Sequence, residues 1–477
     1  MGKAAVQPAL DGSAAIPLRT ATPYLAESLL FRLVLSLLIL VVFSAFVLKG
    51  VTAWSIGLTY IAYDSWLLWY MVRSSRRSVD LLREPELLGT DLPQISVLVA
   101  AYNEHLVLPD CIGALRRQTD PPDEIIIVDD GSSDDSIAHV AAEFQVQFPL
   151  GKAAAPQIGV SVLDARLKVL KKGHSGKADS MNQAWPQAQF PLIVTIDADT
   201  VLDPGAIAAV RRAFGANKDL AAGCGVLTPK CRNVFWGRFF EFYQSFEYYR
   251  AFLWRLSWTS SDSLLLVSGA FAAYRKNVLQ KLGGFDAQSL VEDYELIYRL
   301  HRYAGEHGEK MQVQVIGGAR AVTDAPASIR SFLNQRARWF SGFLQTLSRN
   351  CDMVGDKRFG RVGGFMLPIK TVDTLLPIYA VMAAAVLGVL IIAGGKIDPA
   401  ILLILAIKLL VDLVFHCHAI WTYQRWQGLS SGNGLWAKSV IATLTEPFVF
   451  QLLRHTGAIL GWIAFLRKRA QWVPQRG

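Results

Sequence analysis

Uncharged apolar runs gather toward the two ends of the chain, and shorter ones are spaced through its middle. Residues 33–48, LVLSLLILVVFSAFVL, carry no charge between Arg32 and Lys49, and residues 51–72 are apolar and aromatic, broken only by Asp64. A bilayer-spanning helix needs about 20 apolar residues. The first run falls slightly short, and Phe31 with a snorkelling Arg32 extends it. Together they predict a helical hairpin over 28–72, after a tail at 1–27. A cleaved signal peptide fits less well, because a second hydrophobic segment follows almost at once. Residues 374–395 and 399–424 predict a second pair within 370–424. The latter run contains Lys408 and Asp412, four apart and hence on one helical face, where each neutralises the other. Residues 441–466 contain Glu446, Pro447, Gln451, Arg454 and His455. A lipid-exposed span would bury these groups at high cost. An interfacial or re-entrant helix pair is expected there, within a 425–477 segment that ends in a basic tail.

The middle alternates short β-rich runs with helical stretches. ISVLVA at 95–100, EIIIVDD at 124–130, GVSVLDA at 159–165 and LIVTIDAD at 192–199 predict strands. Helices are predicted over 105–118, from 134, over 177–187 and over 204–214. This order implies an α/β domain with a mostly parallel sheet covered on both faces. Such sheets bind ligands at the carboxyl ends of their strands. Three polar clusters stand at those ends: Tyr102-Asn103-Glu104, Asp129-Asp130-Gly131-Ser132 and Asp197-Ala198-Asp199.

Charge orients the apolar pairs. Arg73, Arg76, Arg77 and Arg83 open a basic linker at 73–92, and Arg467, Lys468, Arg469 and Arg476 lie near the end of the sequence. The positive-inside rule puts both clusters, and the middle domain with them, in the cytoplasm, which four spans satisfy and five do not. The 477 residues are 52% hydrophobic and 18% charged, which excludes a disordered, collagen-like or coiled-coil chain. A net charge of +9 suggests nucleic acid or an anionic membrane surface. The anchoring clusters and the arginines described below account for much of it, so no nucleic-acid partner is expected. The five cysteines show no CxxC or zinc spacing and read as free thiols in a reducing compartment.

No GxGxxG follows the first strand, and GHSGKAD at 173–179 lacks the GxxxxGK[ST] spacing, so a dinucleotide oxidoreductase and a P-loop ATPase fit poorly. Asp197 and Asp199 suit Mg²⁺ or Mn²⁺, hard ions that carry a nucleotide diphosphate with them. A helix cap at Asp199 or Thr200 is the structural alternative. Asp129 and Asp130 offer acceptors to a nucleobase or ribose, although DDGSSD is also a good turn string. Lys177 is placed to contact a nucleotide, with His174 structural. Glu292 and Asp293 begin a helix whose dipole favours acids, yet an acceptor hydroxyl also needs a carboxylate base. A single base implies direct displacement with inversion. SFLNQRARWFSGFLQ at 331–345 predicts an amphipathic helix within 331–355, with Phe332, Phe340, Phe343 and Leu344 turned to membrane or core. Arg336 and Arg338 would hold a leaving diphosphate and Trp339 would stack on an acceptor sugar. A basic helix that merely docks on headgroups is the alternative.

AYNE at 101–104, VDDGSSD at 128–134, SGKADSMNQA at 175–184, DAD at 197–199, SGAFAAYRKNVLQKLGGFD at 268–286, VED at 291–293 and QRARW at 335–339 resemble, in order, the membrane-integrated inverting family 2 glycosyltransferases. That family includes poly-N-acetylglucosamine, hyaluronan, chitin-oligomer and cellulose synthases, and the SGAF stretch looks most like the first of these. The resemblance implies a GT-A-like catalytic domain at 93–330 inserted between transmembrane helices of a bacterial inner membrane. It implies a UDP-sugar donor, UDP-N-acetylglucosamine ahead of UDP-glucose. Tyr102, Glu104, Asp129, Asp130, Lys177, Asp197 and Asp199 would surround that donor, with Asp129 or Asp130 at the uracil. Asp197 and Asp199 would hold Mg²⁺ or Mn²⁺, with Asp199 the more direct ligand. Asp293 would be the base, and Glu292, Gln335, Arg336, Arg338 and Trp339 would form the acceptor and diphosphate site. The family's third motif often reads TED, and Val291 here loses that hydroxyl while keeping both acids. Only eleven residues follow residue 466, so a built-in cyclic-dinucleotide sensor is not expected.

Three activities remain open from sequence: processive extension of a β-linked polysaccharide, single transfer to a lipid acceptor, and a non-catalytic transport or scaffold role resting on Lys408 and Asp412. Four spans make a thin polymer channel, so a small membrane subunit or self-association is expected to add helices.

Overall fold

The computed structural model describes residues 51–78, 92–149, 156–392, 399–427 and 433–467. The apolar run 33–48, the 1–27 tail, Arg83, Lys468, Arg469 and Arg476 lie outside them. The described residues form two compact units. One comprises 92–225 and 265–321; the other comprises 51–78, 226–264 and 322–467.

The first unit is built on a mixed ten-stranded sheet. Its strands are β1 (Ile95–Ala101), β2 (Glu124–Asp129), β3 (Val146–Gln147), β4 (Gln157–Ser161), β5 (Leu167–Lys171), β6 (Leu192–Asp197), β7 (Thr200–Leu202), β8 (Leu220–Lys230), β9 (Phe271–Arg275) and β10 (Gln312–Asp324), in the order β3-β4-β5-β2-β1-β6-β9-β8-β10-β7. β8 and β10 begin in this unit and run past its boundary. The four central strands β5-β2-β1-β6 are parallel. β1, β2 and β6 are rich in Ile, Val and Leu whose side chains are fully buried, as a sheet covered on both faces requires, while β5 alternates and keeps Lys168 and Lys171 only partly buried.

Register then places the chemistry. Ala101 lies opposite Asp129 on one side of β1, and Ala100 lies opposite Asp197 on the other. Three loops therefore leave the same sheet edge within a residue of one another.

The sheet departs from the expectation of a mostly parallel one. β4 pairs antiparallel with β5, and β9 pairs antiparallel with both β6 and β8. The expected strand at 159–165 ends at Ser161, because the Ser161 hydroxyl accepts from the amides of Leu163 and Asp164 and turns the chain. The expected strand at 192–199 ends at Asp197. Ala198 and Asp199 form a turn, and β7 pairs at the far edge of the sheet.

The second unit is helical. Its helices include Val51–Ser78, Phe235–Ser260, Ile329–Arg349, Leu376–Ile392 and Pro399–Gln427. Phe240, Tyr243, Phe332 and Phe450 pack in one apolar cluster, and Met71, Leu253, Phe415 and Ala419 in another. Lys408 pairs with Asp412, as its spacing suggests, and also with Asp64 at 3.0 Å. Among the described residues one helical stretch, Val362–Met382, is long and apolar enough to cross a bilayer. Gly434–Phe448 and Phe450–Leu466 would do so together, but they are bent by 46°.

Candidate active site

The loops after β1 and β2 are stitched together by their own polar side chains. Asn103, in the left-handed region at φ 56°, accepts from the Ser133 amide at 2.8 Å, and its amide donates to the Ser132 hydroxyl at 3.1 Å. The Glu104 amide donates to the Ser136 hydroxyl at 2.9 Å, and His105 pairs with Asp134 at 2.9 Å. Ser132 and Ser133 thus hold Asn103, and Ser136 just beyond DDGSSD holds Glu104, against the second loop.

Asp130 organises a third loop. Its buried carboxylate pairs with buried Lys172 and accepts from the amides of Ser175 and Gly176, each at 2.9 Å, with His174 Nδ1 at 3.0 Å. Burial pushes its pKa up, but Lys172 and the two amides outweigh this and hold it below the usual carboxylate range. Gly131 is required beside it. Its φ is +73°, and a Cβ there would lie 2.7 Å from the His174 backbone nitrogen. His174 in turn stacks on Tyr102, with ring centroids 4.2 Å apart. Asp129 is also buried and accepts from the Ser132 amide at 2.9 Å. Lys172 has no distinguishing pattern in KKGHSGKAD; the β2–β5 register alone brings it to Asp130.

The second focus lies at the end of β6. Lys177, the first residue of the helix Lys177–Ala184, pairs with Asp197, lies 3.5 Å from a Glu292 carboxylate oxygen, and donates to the Gly269 carbonyl at 3.2 Å. Burial pushes the Lys177 ammonium toward neutrality, but Asp197, Glu292 and Asp293 more than compensate and raise its pKa. Asp293 is the second residue of the helix Glu292–His307. Its Oδ2 accepts from the Gly269 amide at 2.6 Å and its Oδ1 from the Tyr294 amide at 2.8 Å. Burial and the neighbouring Glu292 carboxylate push the pKa of Asp293 up to about 6, against the pull of Lys177 and the two amides. The fully buried Tyr274 on β9 also faces these acids. Burial and then Asp293 push its phenol well up, and its hydroxyl has no hydrogen-bond partner among the described residues. Neither Gly269 nor Tyr274 was legible as a site residue, since a glycine acting through its backbone and a buried tyrosine both read as core.

Asp199 sits in the turn after β6 beside Thr200. Both Asp197 and Asp199 lie near the buried Cys111 thiol, whose pKa rises through burial, Asp199 and Asp197. No group of three His, Cys, Asp or Glu side chains placed to hold a metal occurs among the described residues. Mg²⁺ binds through one or two carboxylates plus substrate phosphates and retained water. The all-oxygen pair Asp197 and Asp199 fits that kind of ion.

The remaining expected site residues lie in the second unit, on the helix Ile329–Arg349. Phe332 and Leu344 are buried there. Arg336 is buried, pairs with Glu247 at 2.7 Å and lies over the Trp339 ring at 4.5 Å. Gln335 is buried, and its Oε1 has no hydrogen-bond partner among the described residues. Arg338 is half-buried on the same helix.

A sheet edge carrying acidic loops, with a helix N-terminus presenting a carboxylate, fits a glycosyltransferase domain of GT-A-like fold. Residues 93–342, more than half of the chain, match the family model described as "Glycosyltransferase like family 2", and the chain belongs to that family. It is similar to the poly-beta-1,6-N-acetyl-D-glucosamine synthase of Staphylococcus epidermidis, 25% identical over 305 residues, which is 64% of this chain and 66% of that one. The match thus spans just under two thirds of that relative's length. The enzyme of the same name from Staphylococcus aureus strain COL is 25% identical over 330 residues, 69% of this chain and 71% of that one. The solved mannosyltransferase PcManGT from Pyrobaculum calidifontis, in complex with GDP-Man and Mn²⁺, is similar in fold. Its TM-score is 0.52 at 20% identity, covering 84% of this chain and 99% of that one.

Proposed function

We propose that this chain is an inverting, processive glycosyltransferase. It transfers a sugar, N-acetylglucosamine foremost, from a UDP-sugar to the terminal hydroxyl of a growing β-linked polysaccharide at the cytoplasmic face of a membrane. The observation that carries the reading is Asp293. Two backbone amides fix its carboxylate at a helix N-terminus, and its raised pKa makes it a better base than an ordinary aspartate while leaving it ionised at neutral pH. Asp293 takes the proton of the acceptor hydroxyl as that oxygen attacks the anomeric carbon and the nucleoside diphosphate departs. Glu292 lies beside Lys177 and keeps that ammonium near the reaction. Asp197 and Asp199 would hold Mg²⁺ or Mn²⁺, which neutralises charge on the leaving diphosphate. The stacked Tyr102 and His174 rings and the loop held by Asp130 would support the nucleoside end. Arg338 and Trp339 would serve the diphosphate and the acceptor. The names of the staphylococcal relatives support N-acetylglucosamine and a polymer product. The apolar helices of the second unit support a membrane location, with additional helices coming from a small subunit or a second copy.

The test is a donor screen with the purified full chain and Mn²⁺ or Mg²⁺, scoring UDP release and product length. A ladder from UDP-N-acetylglucosamine is expected. One discrete glycolipid, unchanged at higher donor concentration, would point instead to single transfer onto a lipid acceptor.

Two further outcomes follow from the base. Its active form is the carboxylate, so kcat/KM should fall as pH drops through about 6 and level off above it. An aspartate in water would place the break near pH 4, and a profile flat down to that value would remove the assignment. A Cβ at position 269 would lie 3.0 Å from Asp293 Oδ2 and 3.1 Å from Lys177 Nζ. Gly269→Ala should therefore displace the base and lower kcat by about 10- to 100-fold, with a smaller change in donor KM. Steady-state kinetics of the two enzymes separate these effects.

A further inference from the structure

One ammonium, that of Lys177, stands among several acceptors of the first unit. It pairs with Asp197, donates to the Gly269 carbonyl at 3.2 Å and lies 3.5 Å from Glu292, and the Gly269 amide holds Asp293 beside it. A divalent cation arriving at Asp197 and Asp199 meets this ammonium on the same carboxylate. Two positive groups sharing one carboxylate repel each other. A nucleotide diphosphate removes the conflict, because its oxygens accept from the ammonium while also ligating the ion.

We propose that Lys177 is a resident countercharge that blocks Asp197 to a divalent cation until a nucleotide diphosphate draws the ammonium away. Metal and nucleotide then bind as a coupled pair rather than independently. Between turnovers, once the nucleoside diphosphate and its ion have left, Lys177 returns to Asp197 and keeps the acidic cluster neutralised. This inference rests on the proposed function in taking Asp197 and Asp199 as the ion's ligands.

The experiment is a Mn²⁺ titration of the purified full chain, without sugar turnover, following free Mn²⁺ by electron paramagnetic resonance with and without UDP. The native chain should bind Mn²⁺ weakly alone and at least about 10-fold more tightly with UDP, within the usual range of coupling between sites. Lys177→Met, a neutral side chain of similar length, should bind Mn²⁺ more tightly than the native chain when UDP is absent. It should gain less from UDP than the native chain does, because the phosphate ligands remain but no ammonium has to be displaced. Lys177→Arg, which keeps the charge, should behave like the native chain. Thermal melts guard against a folding defect: Lys177→Met should melt lower than native without ions and regain more on adding Mn²⁺. If Lys177→Met binds Mn²⁺ no more tightly than native without UDP, the countercharge role is wrong while the metal site stands. If neither protein binds Mn²⁺ even with UDP, the metal assignment fails and this inference falls with it.

Discussion

Asp293→Asn should lower sugar transfer by about 10²- to 10⁴-fold, the usual contribution of a positioned general base, while UDP binding changes by no more than a few-fold. The carboxylate accepts from two amides, Gly269 at 2.6 Å and Tyr294 at 2.8 Å, one on each oxygen. An asparagine has one acceptor oxygen, so one of those amides would face an NH₂ group and one tether would be lost with the base. The partners of Asp130 are other residues, so the loop it holds should be undisturbed. UDP binding by calorimetry and UDP release under turnover separate the two quantities. Transfer at the native rate would show that the proton goes elsewhere. Glu292 would then be the next residue to test, as the neighbouring acid beside Lys177.

Asp130→Ala should destabilise the first unit. Asp130 and Lys172 have side chains only 5% and 3% exposed, so truncating the acid removes the nearer carboxylate of a buried cation and leaves it Asp179 at 3.3 Å and the Ser175 and Ser180 hydroxyls. Breaking a buried pair from one side costs roughly 3–5 kcal/mol when the charge is left alone, and the remaining partners of Lys172 bring the loss below that. The amides of Ser175 and Gly176 lose their acceptor at the same time, while His174 Nδ1 keeps the backbone carbonyl of Asp130's position at 3.1 Å. A clear drop in melting temperature is expected, together with loss of UDP binding, because this loop leads directly into Lys177. Asp129→Ala removes one amide partner and should cost less. Equal melting temperatures for the native chain and Asp130→Ala would contradict this account.

The parallel centre of the sheet was legible because strands buried on both faces must be continuous apolar runs, and β1, β2 and β6 are. The acidic clusters were legible for a related reason, since each follows such a run directly. Less legible was everything decided by pairing. SVLDA alternates like a strand, yet Val162 and Leu163 are exposed and a serine-driven turn intervenes. β9 is only five residues long, and nothing in FAAYR states that it will lie antiparallel against β6. The roles of Lys172 and Gly269 come from three-dimensional neighbours. A side chain that completes an ion pair across 42 positions, or a backbone amide that holds a base across 24, leaves no local signature.

The order of the strands has a consequence for assembly. The sheet ends in β3, two residues long, on one side and in β7, three residues long, on the other. Long free edges are templates on which another chain can add a strand, and short ones offer too few backbone hydrogen bonds to hold it. The two end strands themselves therefore offer little backbone to a strand from another copy.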